Sequence, residues 1–220
     1  MIDSLINQPA GLGDIIFCQK IAKLLKTKYN HTVIWPVVKD LEYVKDYLDF
    51  DGFTINNPLW PTNRINLAIA DRIFGGSVLK AKYELVRLDW RDWKDYVGLK
   101  RNHEKEQSLY NKLNPNNEEY IIVSKLIGTP PGQREIPMKI NSNKKIIEVS
   151  LIEGYNPFDW CLLLENASEI HMVDTSFNYI MELINVKTKN LHLYSRFYPN
   201  TDFSHIEGLF SLPWEYHTHI

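Results

Sequence analysis

The sequence predicts an α/β protein of two lobes, each a parallel sheet flanked by helices, on three observations. The first 50 or so residues alternate strand and helix; a turn-rich stretch, "NPNNEE" at 114–119, breaks the chain near its middle; and the alternation restarts at Tyr120. The expected lobes are residues 1–115 and 116–220.

Taken in order, Leu5 and Ile6 form a short apolar strand, and the loop containing Gly11 and Gly13 follows it. "GDIIFCQKIAKLL" then places Phe17, Ile21, Leu24 and Leu25 at helical spacing. "HTVIWPVV" is a β-branched run that must end or sit at an edge at Pro36, because proline cannot donate to a ladder. "KDLEYVKDYL" reads as a second helix capped by Asp40. Residues 52–95 show no sustained period and no assigned elements. Within them Trp90, Trp93 and Tyr96 fall at i, i+3 and i+6, a stripe read as core packing rather than a sugar platform.

"NHEKEQSLYNKL" at 102–113 reads as a largely solvated helix. Tyr120 opens the strand "YIIVSKL", and "IGTPPGQREIP" is a loop, since its three prolines and two glycines forbid regular structure. "KKIIEVS" is a strand, Asn156 and Pro157 cap and open a helix, and "EIHMVD" is the next strand. Asp174, Thr175 and Ser176 start a helix with Phe177, Ile180, Met181 and Ile184 inward, and "NLHLYS" closes the series.

Composition narrows the function classes. A net charge of -2 and a pI near 6.4 supply no basic field for nucleic acid. No window approaches the ~18 consecutive apolar residues of a membrane helix. The start of the chain shows no basic leader before an apolar run, and a cytoplasmic location is expected. Cys18 and Cys161, each among apolar neighbours, are expected to be buried thiols. The seven histidines show no metal-ligand spacing in a secure element, and His217 and His219 lie at the C-terminal end; no metal site and no cofactor are expected.

Two places can carry chemistry. Ligands of open parallel sheets bind beyond the carboxyl ends of the strands. At the first, Gly11 and Gly13 let backbone approach closely at a helix N-terminus, and Asp14 either caps that helix or accepts a proton from a hydroxyl. No Gly-Lys-Ser/Thr follows, and the third glycine of the dinucleotide fingerprint is missing. At the second, Asp174, Thr175 and Ser176 sit at a strand-to-helix junction suited either to a helix cap or to a diphosphate. Ser124, Lys125 and Arg134 on an earlier loop offer the cations a diphosphate needs.

Together, "GLGDIIFCQKIAKLL" and "LLLENASEIHMVDTSFNYIMELINVKTKNLHLYS" resemble, in order and spacing, the two signature regions of GT-B-fold glycosyltransferases of the ADP-heptose transferase and fucosyltransferase-like types. The resemblance implies two Rossmann-like α/β/α lobes with a cleft between them. It also implies an inverting, metal-independent transfer from a nucleotide-diphosphate sugar to a glycan or other hydroxyl acceptor. It places the base at Asp14, its loop at Gly11 and Gly13, and the donor diphosphate at Asp174, Thr175 and Ser176. By position, Ser124, Lys125 and Arg134 border the donor, and Glu153, Gly154 and Tyr155 border the nucleotide base. The family's "DSGxxHLA" is here "DTSFNYIME", with Tyr179 near the place of a histidine some relatives carry. Two alternatives stay open: an inactive scaffold of the same fold that binds a nucleotide or a protein, and a sugar-nucleotide epimerase.

Overall fold

The computed structural model describes residues 2–55, 63–74, 77–128 and 132–217. The chain divides into two compact units: residues 1–100 with 204–209, and residues 101–203 with 210–220. The division falls between Lys100 and Arg101 rather than at the turn-rich 114–119, because the helix before that turn packs with the second unit.

In the first unit, β1 (Ile2–Ile6) pairs in parallel with β2 (His31–Pro36) and β4 (Asn63–Ile65), and β3 (Phe53–Thr54) adds to β2, in the order β3-β2-β1-β4. Pro36 ends its strand, as its missing N–H requires. The first helix is two: α1 (Leu12–Phe17) and α2 (Gln19–Thr27) meet at Cys18, whose ψ of 5° leaves the helical range. Ile15, Ile16, Phe17, Ile21 and Ala22 are fully buried on this pair. Asp40 lies inside a 3-10 turn, Lys39–Leu41, and caps nothing; α3 is only Val44–Tyr47. The stretch without periodicity contains β3, β4, α4 (Ala70–Phe74) and α5 (Val78–Leu85). Trp93 is buried against Phe17 and donates to the Leu209 carbonyl, while Trp90 and Tyr96 are half-buried, so the stripe is packing as expected.

In the second unit, α6 (His103–Leu113) is capped by Asn102, whose side chain accepts from the Lys105 amide. Most of its residues are exposed, as expected, and its packing rests on two buried positions. Leu109 and Glu106 are buried, and Arg101 forks between Glu106 and Glu165 of α7 (Cys161–Asn166). The hydrogen bonds to Glu106, followed by those to Glu165, push the Arg101 guanidinium up. Five parallel strands run β11-β10-β9-β5-β8: β5 (Tyr120–Ser124), β8 (Lys145–Glu148), β9 (Glu169–Val173), β10 (Leu191–Tyr194) and β11 (Trp214–His217). The series does not close at β10. β11 is an edge strand in a segment read as a chain end, while His219 lies outside the described residues.

Strand alternation gives this sheet two different faces. Tyr120, on one, donates to the Leu163 carbonyl of α7, and α8 (Ser176–Met181) packs on α7. The other face carries Val173 and Tyr194 beneath Ile127 and Ile136 of an antiparallel hairpin, β6 (Leu126–Ile127) and β7 (Arg134–Glu135). The loop expected to hold no regular structure thus supplies this hairpin. Cys18 and Cys161 are buried, and burial pushes both thiols up.

Candidate functional site

The first site grows from the carboxyl end of β1. Its following loop is tied down from both sides: the Asn7 amide donates to Ile65, the Ala68 amide to Asn7, Trp35 Nε1 to the Gln8 carbonyl and the Val38 amide to Pro9. The loop delivers Gly11 as the N-cap of α1 at φ 82°, a left-handed conformation. A Cβ there would lie 2.4 Å from Asp14 Oδ2, so the glycine is what lets the carboxylate fold back over the loop. Gly13 is different: it sits in the first turn of α1 without a positive φ.

Asp14 is held from behind. Its Oδ1 lies 3.1 Å from Nζ of Lys82, a side chain only 2% exposed, whereas the Asp14 side chain is 28% exposed. Lys82 also donates to Gln8 Oε1 at 2.7 Å and to the Leu67 carbonyl at 3.1 Å, so its three protons have three acceptors. Gln8 in turn donates to the Ala10 carbonyl at 2.7 Å. A partly exposed carboxylate anchored by a buried ammonium is held in place as that ammonium's counter-ion. No sequence signal separates Lys82 from Lys80 in "VLKAKYEL"; only the docking of α5 shows which is inside.

The second site gathers at the carboxyl end of the five-stranded sheet. Ser124 ends β5 opposite Met172 of β9, and Asp174 follows β9; both are buried. Thr175 is the N-cap of α8, and its amide donates to Asn178 Oδ1 at 2.8 Å, while its buried hydroxyl oxygen makes no hydrogen bond. Ser176 is the first residue of the helix and half-buried. Lys125 is engaged by Glu148 at 2.8 Å, and Arg134 on β7 donates to the Arg196 carbonyl at 2.8 Å. Glu153 is exposed in the turn after β8, Gly154 has φ 85° and accepts from Lys105 Nζ, and the Tyr155 hydroxyl meets Ser108 Oγ at 2.8 Å. Ser124, Lys125, Asp174, Thr175 and Ser176 therefore share one sheet end, while the two cations already have partners within their own unit.

The histidines depart from expectation. Parallel registry sets His192 beside His171 on β9 and Glu215 on β11, and period-2 alternation adds Glu169 and His217 to the same face. These side chains form two overlapping groups of metal-ligating atoms: Glu169, His171 and His192, and His192, Glu215 and His217. Sequence spacing did not show them because their ligands come from three strands, one of them unread.

No protein-family model and no curated protein sequence matches the chain. Solved structures do. A glycosyl transferase family 9 structure from Veillonella parvula superposes with a TM-score of 0.59 at 8% identity, over 99% of this chain and 86% of that one. The iron-containing dodecameric glycosyltransferase TibC of enterotoxigenic E. coli superposes at 0.54 and 12% identity, and the TibC heptosyltransferase in complex with ADP-D-beta-D-heptose at 0.57 and 12%. The chain spans 63% of the length of each TibC chain. What these likenesses establish is the fold: two parallel α/β units of the GT-B type.

Proposed function

We propose that this protein is a glycosyltransferase that moves a sugar from a nucleotide-diphosphate sugar to an acceptor hydroxyl, with inversion and without a metal at the reacting centre. The observation that carries the reading is Asp14, partly exposed at the end of the central strand and fixed by the buried Lys82. In this scheme the acceptor oxygen attacks the anomeric carbon as Asp14 takes its proton, and the bond to the diphosphate breaks with its electron pair leaving on the phosphate oxygen. Hydroxyls and amides at Ser124, Thr175 and Ser176 bind the departing diphosphate, and Lys125 and Arg134 exchange Glu148 and the Arg196 carbonyl for phosphate oxygens. Glu153 and its neighbours border the nucleotide base. The acceptor is a glycan or another hydroxyl compound, and the protein works in the cytoplasm.

A second reading has its own support. The Asp14–Lys82 pair also suits a scaffold that binds a nucleotide without turnover, in which Asp14 only neutralises the lysine. Incubating the protein with UDP-, GDP-, ADP- and CDP-sugars and measuring nucleoside diphosphate release separates the two. Transfer, or slow hydrolysis, that disappears in Asp14→Asn supports the enzyme; nucleotide binding with no release supports the scaffold. Conversion of the sugar without release would indicate an epimerase instead.

A further inference from the structure

On the sheet face of the second unit that carries the hairpin, strand registry assembles a polar ladder that the sugar-transfer reading does not use. Glu169 and His171 come from β9, His192 from β10, and Glu215 and His217 from the edge strand β11. Among the described residues neither Glu169 nor Glu215 pairs with a lysine or arginine; their ion-pairing partners are histidines. Two carboxylates facing three imidazoles, with no fixed cation among them, is a donor set seeking a positive charge.

The atoms are spaced for one ion. His192 Nδ1 lies 2.8 Å from His217 Nε2 and 3.3 Å from Glu215 Oε2, and His217 Nε2 lies 3.7 Å from Glu215 Oε1. A tetrahedral ion about 2.0–2.1 Å from each ligand holds its ligands about 3.3 Å apart, in the middle of that range. The ring-to-ring contact also has a chemical meaning: two imidazole nitrogens this close either share one proton or direct both lone pairs at a common cation.

The surroundings orient the ligands as an outer shell does. The far nitrogen of His192, Nε2, lies 3.4 Å from Glu169 Oε1, and the same carboxylate oxygen is 2.7 Å from His171 Nε2. A proton on Nε2 directed at Glu169 leaves Nδ1 as the lone-pair nitrogen, the arrangement that fixes tautomer and ring orientation at metal-bound histidines. His171 is braced further by the Tyr194 hydroxyl at 3.1 Å from its Nδ1, and the His217 ring stacks on Tyr194 at 4.8 Å. All three ligands stand on adjacent parallel strands, which hold them more firmly than loops would.

We propose that His192, His217 and Glu215 bind one divalent transition-metal ion of the zinc class, with Glu169 and His171 as orienting partners. Three protein ligands leave a fourth position for water, and the ion ties the edge strand β11 to β10. The donor set, two imidazoles and a carboxylate, favours Zn2+ over Mg2+ or Ca2+, which take oxygen ligands.

The test uses the untagged full-length chain, stripped with a chelator and titrated with Zn2+ by calorimetry, with Co2+ absorption as a readout of coordination. The expected result is one Zn2+ per chain and a Co2+ spectrum of low coordination number that Zn2+ abolishes. Glu215→Gln, His192→Ala and His217→Ala should each weaken Zn2+ binding at least about 10-fold, the lower end of what losing even an outer partner costs. Glu215 is 67% exposed, so Glu215→Gln keeps the fold and guards against a misfolding artefact. His103→Ala, at a side chain 79% exposed on α6, should leave binding unchanged. Failure of the unaltered protein to bind Zn2+, or Glu215→Gln and His217→Ala proteins that bind it as tightly as the unaltered protein, would overturn the assignment.

Discussion

Replacing Asp14 with asparagine tests catalysis and folding together, because the carboxylate answers a buried charge. At the 3.1 Å separation of Asp14 Oδ1 and Lys82 Nζ, an effective dielectric of about 20 gives a gross attraction of about 5 kcal/mol. Much of this is offset. Gln8 and the Leu67 carbonyl still accept from Lys82, asparagine retains an acceptor oxygen, and the partly exposed position admits water. A net loss of about 2–3 kcal/mol is expected, somewhat below the ~3–5 kcal/mol of breaking a fully buried pair. Urea unfolding followed by tryptophan fluorescence measures the loss, with Lys82→Met and the double variant completing a cycle. The double variant should cost at least about 1 kcal/mol less than the two single changes added together, because each single change strands the other partner. If the double variant also lacks turnover, Asp14 acts in the chemistry as well as in neutralising the lysine. An Asp14→Asn protein as stable as the original, or strictly additive energies, would refute the coupling.

Three further outcomes follow from the same geometry. Gly11→Ala forces a side chain into a left-handed residue at about 1–2 kcal/mol and displaces Asp14 Oδ2, so turnover should fall with stability in one assay series. Glu106→Gln removes the buried charge that Arg101 grips while Glu165 remains, and should lower the urea stability of the second unit by about 2 kcal/mol. Neither Cys18 nor Cys161 should react with a thiol reagent until the chain is unfolded, since burial pushes both thiols away from the reactive thiolate; rapid labelling of the folded protein would contradict that.

What could be read from sequence was local chemistry repeated at a clear period. Asn156–Pro157 and Thr175 are true helix starts, and the runs at 120–124, 145–148, 169–173 and 191–194 are strands. The first unit was harder because β3 and β4 are two and three residues long, too short for a period to register. The helix α6 is largely solvated as read, but the burial of its Glu106 was not legible, because the Arg101 that grips it is also held by Glu165, 64 residues further along the chain. Asp14 and Gly11 were legible from a glycine loop at a strand end, yet Lys82, which determines what Asp14 is worth, was not. The histidine ladder left a faint trace, the Glu-x-His pairs at 169–171 and 215–217, whose period-2 meaning emerges only once β11 is known to be a strand.

The central claim is that this fold binds a nucleotide-diphosphate sugar, and thermal unfolding of the purified chain with UDP, GDP, ADP, CDP and their sugars tests it most directly, with NAD and an oligonucleotide as controls. A selective ligand at about 100 times its Kd should add about 2.7 kcal/mol and raise the melting temperature, naming the base. No shift with any nucleoside diphosphate, beside a correctly folded control spectrum, would contradict the account and leave Asp14 as the counter-ion of Lys82 alone.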